Sequence, residues 1–276
     1  MSKIINTQYY LQHLLHRVSL HSKEIRKNNY IGFVQHLNDF LISKNNEKAI
    51  ITTFNYDTIL ENALKHGLNY TFLNEDNYID YKNRNLLLFK PHGSWNWVKD
   101  INEGVFQELD QTANYYFDNN PNFHKFLYDK QGYLSTLNKY TSNDRIRIID
   151  LIEGSKPYLP QLLIPFSDKD EFIMPNSHLF CLKYMLKDIK LIIAVGWKGS
   201  EKYFKTLLSK NILSEDIHIL YVTLKDNTIE SELREVFPKG IFSNFAPEKN
   251  SKGTFTEFVS FLTNYGDEIF ERAYTK

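Results

Sequence analysis

A single cysteine in 276 residues is the most restrictive scarcity in this chain. Cys181 alone excludes an internal disulfide framework, and it excludes a four-cysteine zinc module, because structural zinc takes four ligands. It lies within Leu179-Phe180-Cys181-Leu182, where cysteine packs as a small hydrophobe. Net charge is absent too: 33 Lys plus Arg balance 33 Asp plus Glu, with a pI near 7.1. No global field draws the protein to nucleic acid or an anionic membrane. No run approaches the roughly 20 apolar residues of a membrane span. The segment from Lys3 to Tyr10 lacks the continuous apolar stretch of a signal peptide. A soluble, cytoplasmic protein without nucleic-acid or membrane partners is the expectation. His13 and His16 lie three apart on one helical stretch, but no nearby Cys, Asp or Glu completes a metal set. The Walker loop, the Gly-x-Ser-x-Gly elbow and the zinc-protease His-Glu pair are missing as well.

What is present is an alternation of apolar runs and helical patterns. Residues 7–43 read as two helices broken near Asn28-Asn29, with Tyr10, Leu11, Leu14, Leu15 and Val18 on the first and Phe33, Leu37, Phe40 and Leu41 on the second. Runs at 49–53 and 86–89 read as strands buried on both faces. A helix over 58–65 is closed by Gly67. Further strands are read at 161–165, 191–195 (a central strand), 217–223 and 241–245 (a last edge strand). The intervening helices are 176–188, capped by Asn176 or Ser177, then 201–209, 228–237 and 254–265. Strands alternating with helices predict an α/β fold, a Rossmann-like, doubly wound and mainly parallel sheet. Residues 1–98 and 157–276 form that domain, its first 45 residues helical. Residues 99–156, polar and aromatic, read as a helical insertion or cap. Aromatics, 15% of the chain, largely fill the core.

Two strings place polar residues just past the carboxyl ends of strands, where open α/β sheets bind ligands. They are Thr53-Phe54-Asn55-Tyr56-Asp57 and Lys90-Pro91-His92-Gly93-Ser94. His92 can take a proton at neutral pH, and Asn55 can both donate and accept. Asp57 serves equally well as a cap for the helix that follows. A third string, Val195-Gly196-Trp197-Lys198-Gly199-Ser200-Glu201, joins a strand to a helix. Its backbone amides and the Ser200 hydroxyl suit a ribose or phosphate. The alternative is an ordinary turn in which Ser200 caps and Trp197 packs.

These strings resemble the sirtuin-like NAD-binding domains of bacterial anti-phage defence proteins. Thr53, Asn55, Tyr56, Asp57 and Glu61 match the first motif of that family. His92, Gly93, Ser94 and Trp97 match the second, and the string from Val195 to Glu201 is a third likeness. The resemblance implies NAD as substrate, no metal, His92 as general base and Asn55 ordering a ribose hydroxyl or water. It implies that Asp57 accepts from the nicotinamide carboxamide. Thr53, Phe54, Tyr56, Gly93, Ser94, Gly196, Trp197, Gly199, Ser200 and Glu201 then surround the nucleotide. Phe54 replaces a polar residue of the deacetylases, which favours hydrolysis over acetyl transfer. The family opens with a strand and a Gly-Ala-Gly-x-Ser phosphate loop, whereas Gly32 is the only glycine before residue 49 here. Three readings follow: an NAD hydrolase, an inactive module binding an ADP-ribose-like nucleotide or a protein, and an enzyme completed by a second copy or a defence-system partner.

Overall fold

The computed structural model describes residues 2–23, 29–100, 145–150, 158–163, 172–197, 199–214, 216–223, 228–245, 254–265, 268, 270 and 271. Helices α1 (Ser2–Lys23) and α2 (Asn29–Ser43) precede strand β1 (Ala49–Thr52). Helix α3 (Ile59–Leu68) carries the chain across to β2 (Leu86–Phe89), which pairs parallel with β1. A second parallel sheet runs in the order β6 (Leu191–Val195), β7 (His218–Val222), β8 (Ile241–Asn244). Its crossovers are α5 (Lys202–Asn211) and α6 (Thr228–Val236). Helix α4 (Asn176–Met185) leads into β6, and α7 (Phe255–Tyr265) follows β8. The molecule is therefore α/β, with helical connections between parallel strands.

The number of neighbours a strand has is not written in its apolarity. β2 is buried throughout, but β1 is only half-buried along its length. β6 is an edge strand among the described residues, with β7 at the centre of its sheet. The run at 49–53 was expected to be buried on both faces and that at 191–195 to be a central strand; among the described residues each has one strand partner.

A third, antiparallel sheet was not anticipated. It has the order β4 (Arg147–Ile148), β3 (Gly93–Asp100), β5 (Tyr158–Leu162). The segment expected at 161–165 starts earlier because Tyr158 pairs with Asp100 on β3. The helical insertion expected at 99–156 falls mostly outside the described residues. Its described parts include the end of β3 and the whole of β4, which are strand.

Helix α1 reverses the face its periodicity suggested. Tyr10, Leu14 and Val18 are 65%, 46% and 52% exposed, whereas Gln12 and Ser19 are buried. The cause lies in β3, whose pairing with β5 slips between Gly93 and Val98. Main-chain carbonyls freed by such a slip need donors. Gln12 Nε2 donates to the Trp95 carbonyl at 2.8 Å, and Gln8 Nε2 to the Leu162 carbonyl at 2.6 Å.

On α2, Phe33, Val34, Leu37, Phe40 and Leu41 are buried as their spacing requires. Gly67 does not close α3. A Cβ there would lie 3.2 Å from Val34 Cγ2, so this glycine lets α2 and α3 approach. The helix ends at Asn69, which is left-handed at φ 57°. Asn69 N–H donates to the Lys65 carbonyl at 3.1 Å, the αL type of helix stop, and Tyr70 N–H donates to that of Leu64 at 3.3 Å. Helix α4 is also shorter than expected: Pro175 occupies its N-cap position without a side-chain cap bond, and residues 186–188 continue as a 3₁₀ turn.

α4 is pinned by His178, which is fully buried with Nε2 2.9 Å from the Glu75 carbonyl. Burial pushes its imidazole down to about 4, against the opposing pull of that hydrogen bond. Between about pH 6.5 and 4 the unfolded chain binds a proton there that the folded protein refuses. Stability should therefore fall on acidification through that window by roughly 3 kcal/mol. Urea titrations across that range should show the loss in the parent chain and a flatter profile in His178→Phe.

Candidate functional site

Beyond Thr52 the first string continues the ladder for one residue, as Thr53 N–H donates to the Phe89 carbonyl at 3.0 Å. Two local bonds then turn the chain toward α3. Asn55 N–H donates to Thr53 Oγ1 at 3.2 Å, and Ile59 N–H to Asp57 Oδ1 at 3.0 Å. Asp57 thus forms an Asx turn at the entry to α3, whose N-cap position is Thr58 without a side-chain cap bond. Tyr56 reaches away from α3 and donates its hydroxyl to the Leu163 carbonyl. Burial, with the Glu201 carboxylate adding to it, pushes this phenol up to about 12, so it remains a donor.

The second string is held to the first by a lysine that the motif reading passed over. Lys90 is fully buried at the end of β2, and its ammonium donates to Glu61 Oε1 at 2.8 Å and to Ser94 Oγ at 2.7 Å. A third bond goes to the Asp57 carbonyl. Ser94 Oγ and Trp95 N–H both donate to the Tyr56 carbonyl, at 3.3 and 3.0 Å. Glu61 Oε1 also accepts from the Tyr78 hydroxyl at 3.2 Å, and that hydroxyl accepts from Trp97 Nε1 at 3.1 Å. Ser94, Glu61 and Trp97 therefore point into the protein. The structure gives Ser94 the task of joining two turns, in place of the expected contact with a nucleotide.

His92 is 4% exposed, with the Phe54 ring 4.9 Å from its own and the Tyr56 ring 6.2 Å away. Asn55, between those two aromatics in sequence, is exposed, and its side chain has no hydrogen-bond partner among the described residues. Gly93 has φ +80°, and a Cβ there would fall 1.9 Å from the Gln161 carbonyl oxygen. Close passage of β5 therefore explains this glycine.

The third string meets the first through aromatic rings. Trp197 is stacked on Phe54 with 6.2 Å between centroids, and Phe204 of α5 stands edge-on to both. Glu201 occupies the N-cap position of α5 without a cap bond, and its carboxylate accepts the Trp197 indole N–H. Gly196, at φ +59°, has open space where a Cβ would stand. At Gly199 a Cβ would lie 2.6 Å from that of Glu232 on α6, so that glycine is set by packing. Ser200 is exposed at the start of the helix.

The arrangement gathers Phe54, Tyr56, His92, Trp197 and Glu201 into one aromatic cluster with a carboxylate on its flank. It leaves Asn55, Gly196 and Ser200 on exposed positions. Among the described residues no group of three or more His, Cys, Asp or Glu stands close enough to hold a metal, and no helix is long and apolar enough to cross a membrane. Lys90, though part of the second string, was given no role there, and Phe204 lay outside the motifs. The one signal for Lys90 was a charge directly after the wholly apolar Leu86–Phe89. No protein-family model, curated protein or solved structure matches the chain.

Stability measurements test this geometry at three positions. Lys90→Met leaves the Glu61 carboxylate buried and uncompensated, at a cost of about 3–5 kcal/mol. Adding Glu61→Leu should return much of that loss in a denaturant double-mutant cycle. Gly93→Ala should cost about 4 kcal/mol or more, since overlap with backbone adds to the left-handed strain. Gly196→Ala, strained but unobstructed, should cost about 1–2 kcal/mol in the same assay.

Proposed function

We propose that the chain is a sirtuin-like NAD hydrolase that releases nicotinamide and leaves ADP-ribose. The observation that carries this reading is the meeting of three distant strings in one cluster: Phe54 from the first, His92 from the second and Trp197 from the third. Each follows a parallel strand at its carboxyl end, the place where α/β sheets bind ligands. In this reading the two-stranded sheet β1–β2 and the three-stranded sheet β6–β7–β8 are two halves of one doubly wound, Rossmann-like arrangement whose strand order reverses between β1 and β6. The resemblance to defence proteins suggests cofactor depletion during phage infection, in a homo-oligomer or with a partner protein.

The chemistry asks little of an acid. The glycosidic carbon of NAD bears a positively charged leaving group, so nicotinamide departs as a neutral molecule. The gain comes from holding the ribose in a reactive pose and stabilising the oxocarbenium-like centre. Water then forms the new bond to that carbon, and His92 takes its proton. Asn55, exposed and with an amide unengaged among the described residues, orients the water or a ribose hydroxyl. Asp57 remains the proposed acceptor for the carboxamide, using the carboxylate oxygen that does not cap α3.

A second reading is favoured by the burial of His92 beneath Phe54 and Tyr56. A base closed off from water suits a module that binds the nucleotide without turning it over. Incubation of the intact chain with NAD, followed by chromatography of nicotinamide, separates the two. The hydrolase reading predicts release that falls about 100-fold or more in His92→Ala and in Asn55→Ala, with unchanged circular dichroism. Binding of ADP-ribose with no nicotinamide at any protein concentration establishes the module.

A further inference from the structure

Helix α1 is built inside out. A helix lying on a protein ordinarily turns its apolar stripe inward and its polar residues to water. Here the inward face is polar. Gln12 and Ser19 are buried, Gln8 and Gln12 donate to the Leu162 and Trp95 carbonyls, and the His16 ring packs 4.9 Å from that of Trp95. Tyr10, Leu14 and Val18 recur every fourth residue and are all exposed, so they form one row on the outward face. His13 and Arg17 are exposed beside them. Single exposed apolar residues are ordinary on a protein surface, but a contiguous row marks a contact face.

The same helix concentrates charge of one sign. The chain is neutral as a whole, yet residues 1–27 hold five Lys or Arg and a single Glu. The 22 residues of α1 contain no Asp or Glu at all. Its cationic positions, Lys3, Arg17 and Lys23, are spread along a helix about 33 Å long.

These two properties together select the occupant. A second copy of the chain would set two carboxylate-free helices face to face. Nucleic acid would use the cations but gain little from Leu14 and Val18. A plane of anionic headgroups over hydrocarbon uses both: Tyr10 and the aliphatic side chains enter the headgroup–acyl boundary, and the cations meet lipid phosphates. The polar face already ties α1 to β3 and β5, so the helix presents this row without turning over or leaving the body.

We infer that α1 seats the protein on an anionic lipid surface, lying along the headgroups with Tyr10, Leu14 and Val18 inserted. It rests on one leaflet and is not apolar enough to cross. The inference stands on α1 alone and is independent of the hydrolase reading.

Co-sedimentation of the full chain with lipid vesicles tests it. Phosphatidylcholine with about one third phosphatidylglycerol should bind the protein about tenfold or more better than pure phosphatidylcholine. Salt at about 1 M, with a screening length of about 3 Å, should release most of it. Tyr10→Gln combined with Leu14→Gln, and separately Arg17→Glu, should each lower partitioning about tenfold. These positions are exposed, so the variants should keep the parent's circular dichroism. Tyr184→Gln, an equally exposed aromatic on α4, should leave binding unchanged. Equal binding to neutral vesicles, no binding to anionic ones, or the same loss in Tyr184→Gln overturns the inference. So does a dimer in vesicle-free solution that the Tyr10–Leu14 double variant dissolves, which assigns the row to a second copy.

Discussion

The bond between Lys90 and Glu61 holds the site together. An ammonium with no exposed surface, 2.8 Å from a carboxylate that is itself buried, is tolerated only when its donors are all used. Here they are spent on Glu61, Ser94 and the Asp57 carbonyl. Those three acceptors belong to α3, to the start of β3 and to the turn after β1, and Lys90 itself stands in the turn after β2. One side chain therefore ties two strand-end turns to the helix between them. Replacing the pair with apolar residues could preserve stability while losing that registration, which is the use for which buried polar groups are best known.

With the turns locked below, the surface above them is set by aromatics. Tyr56 anchors to Leu163, Phe54 lies against His92, and Trp197 is oriented by Glu201. On the proposed hydrolase reading, such rings suit a reaction in which a cationic ring leaves as a neutral one, because their hold on it weakens as the bond breaks.

Much of the secondary structure was legible. β2, β7, α2, α6 and α7 fall where their apolar periodicity placed them, because a run such as Leu86–Phe89 or a stripe such as Phe33–Leu37–Phe40 has one way to hide itself. The faults lie where tertiary demand overrode pattern. α1 turned its glutamines inward because a slipped ladder in β3 left carbonyls to satisfy. Gly67 looked like a helix stop but serves the approach of α2, and the stop itself is Asn69. The antiparallel sheet depends on Gly93–Asp100 finding Tyr158–Leu162, a pairing that no local signal announces.

The candidate site divides in the same way. Motif spacing brought His92, Phe54 and Trp197 into consideration, and they meet. Which residues face outward was beyond it: Ser94 sits in the same short string as His92, and only the position of Lys90 shows that its hydroxyl turns inward. The central claim is that these strings form one nucleotide site. Calorimetric titration of the intact chain with ADP-ribose tests it most directly. The account predicts saturable heat at one site per chain, with affinity reduced about tenfold or more in Asn55→Ala. A flat titration for a chain shown to be folded would contradict it.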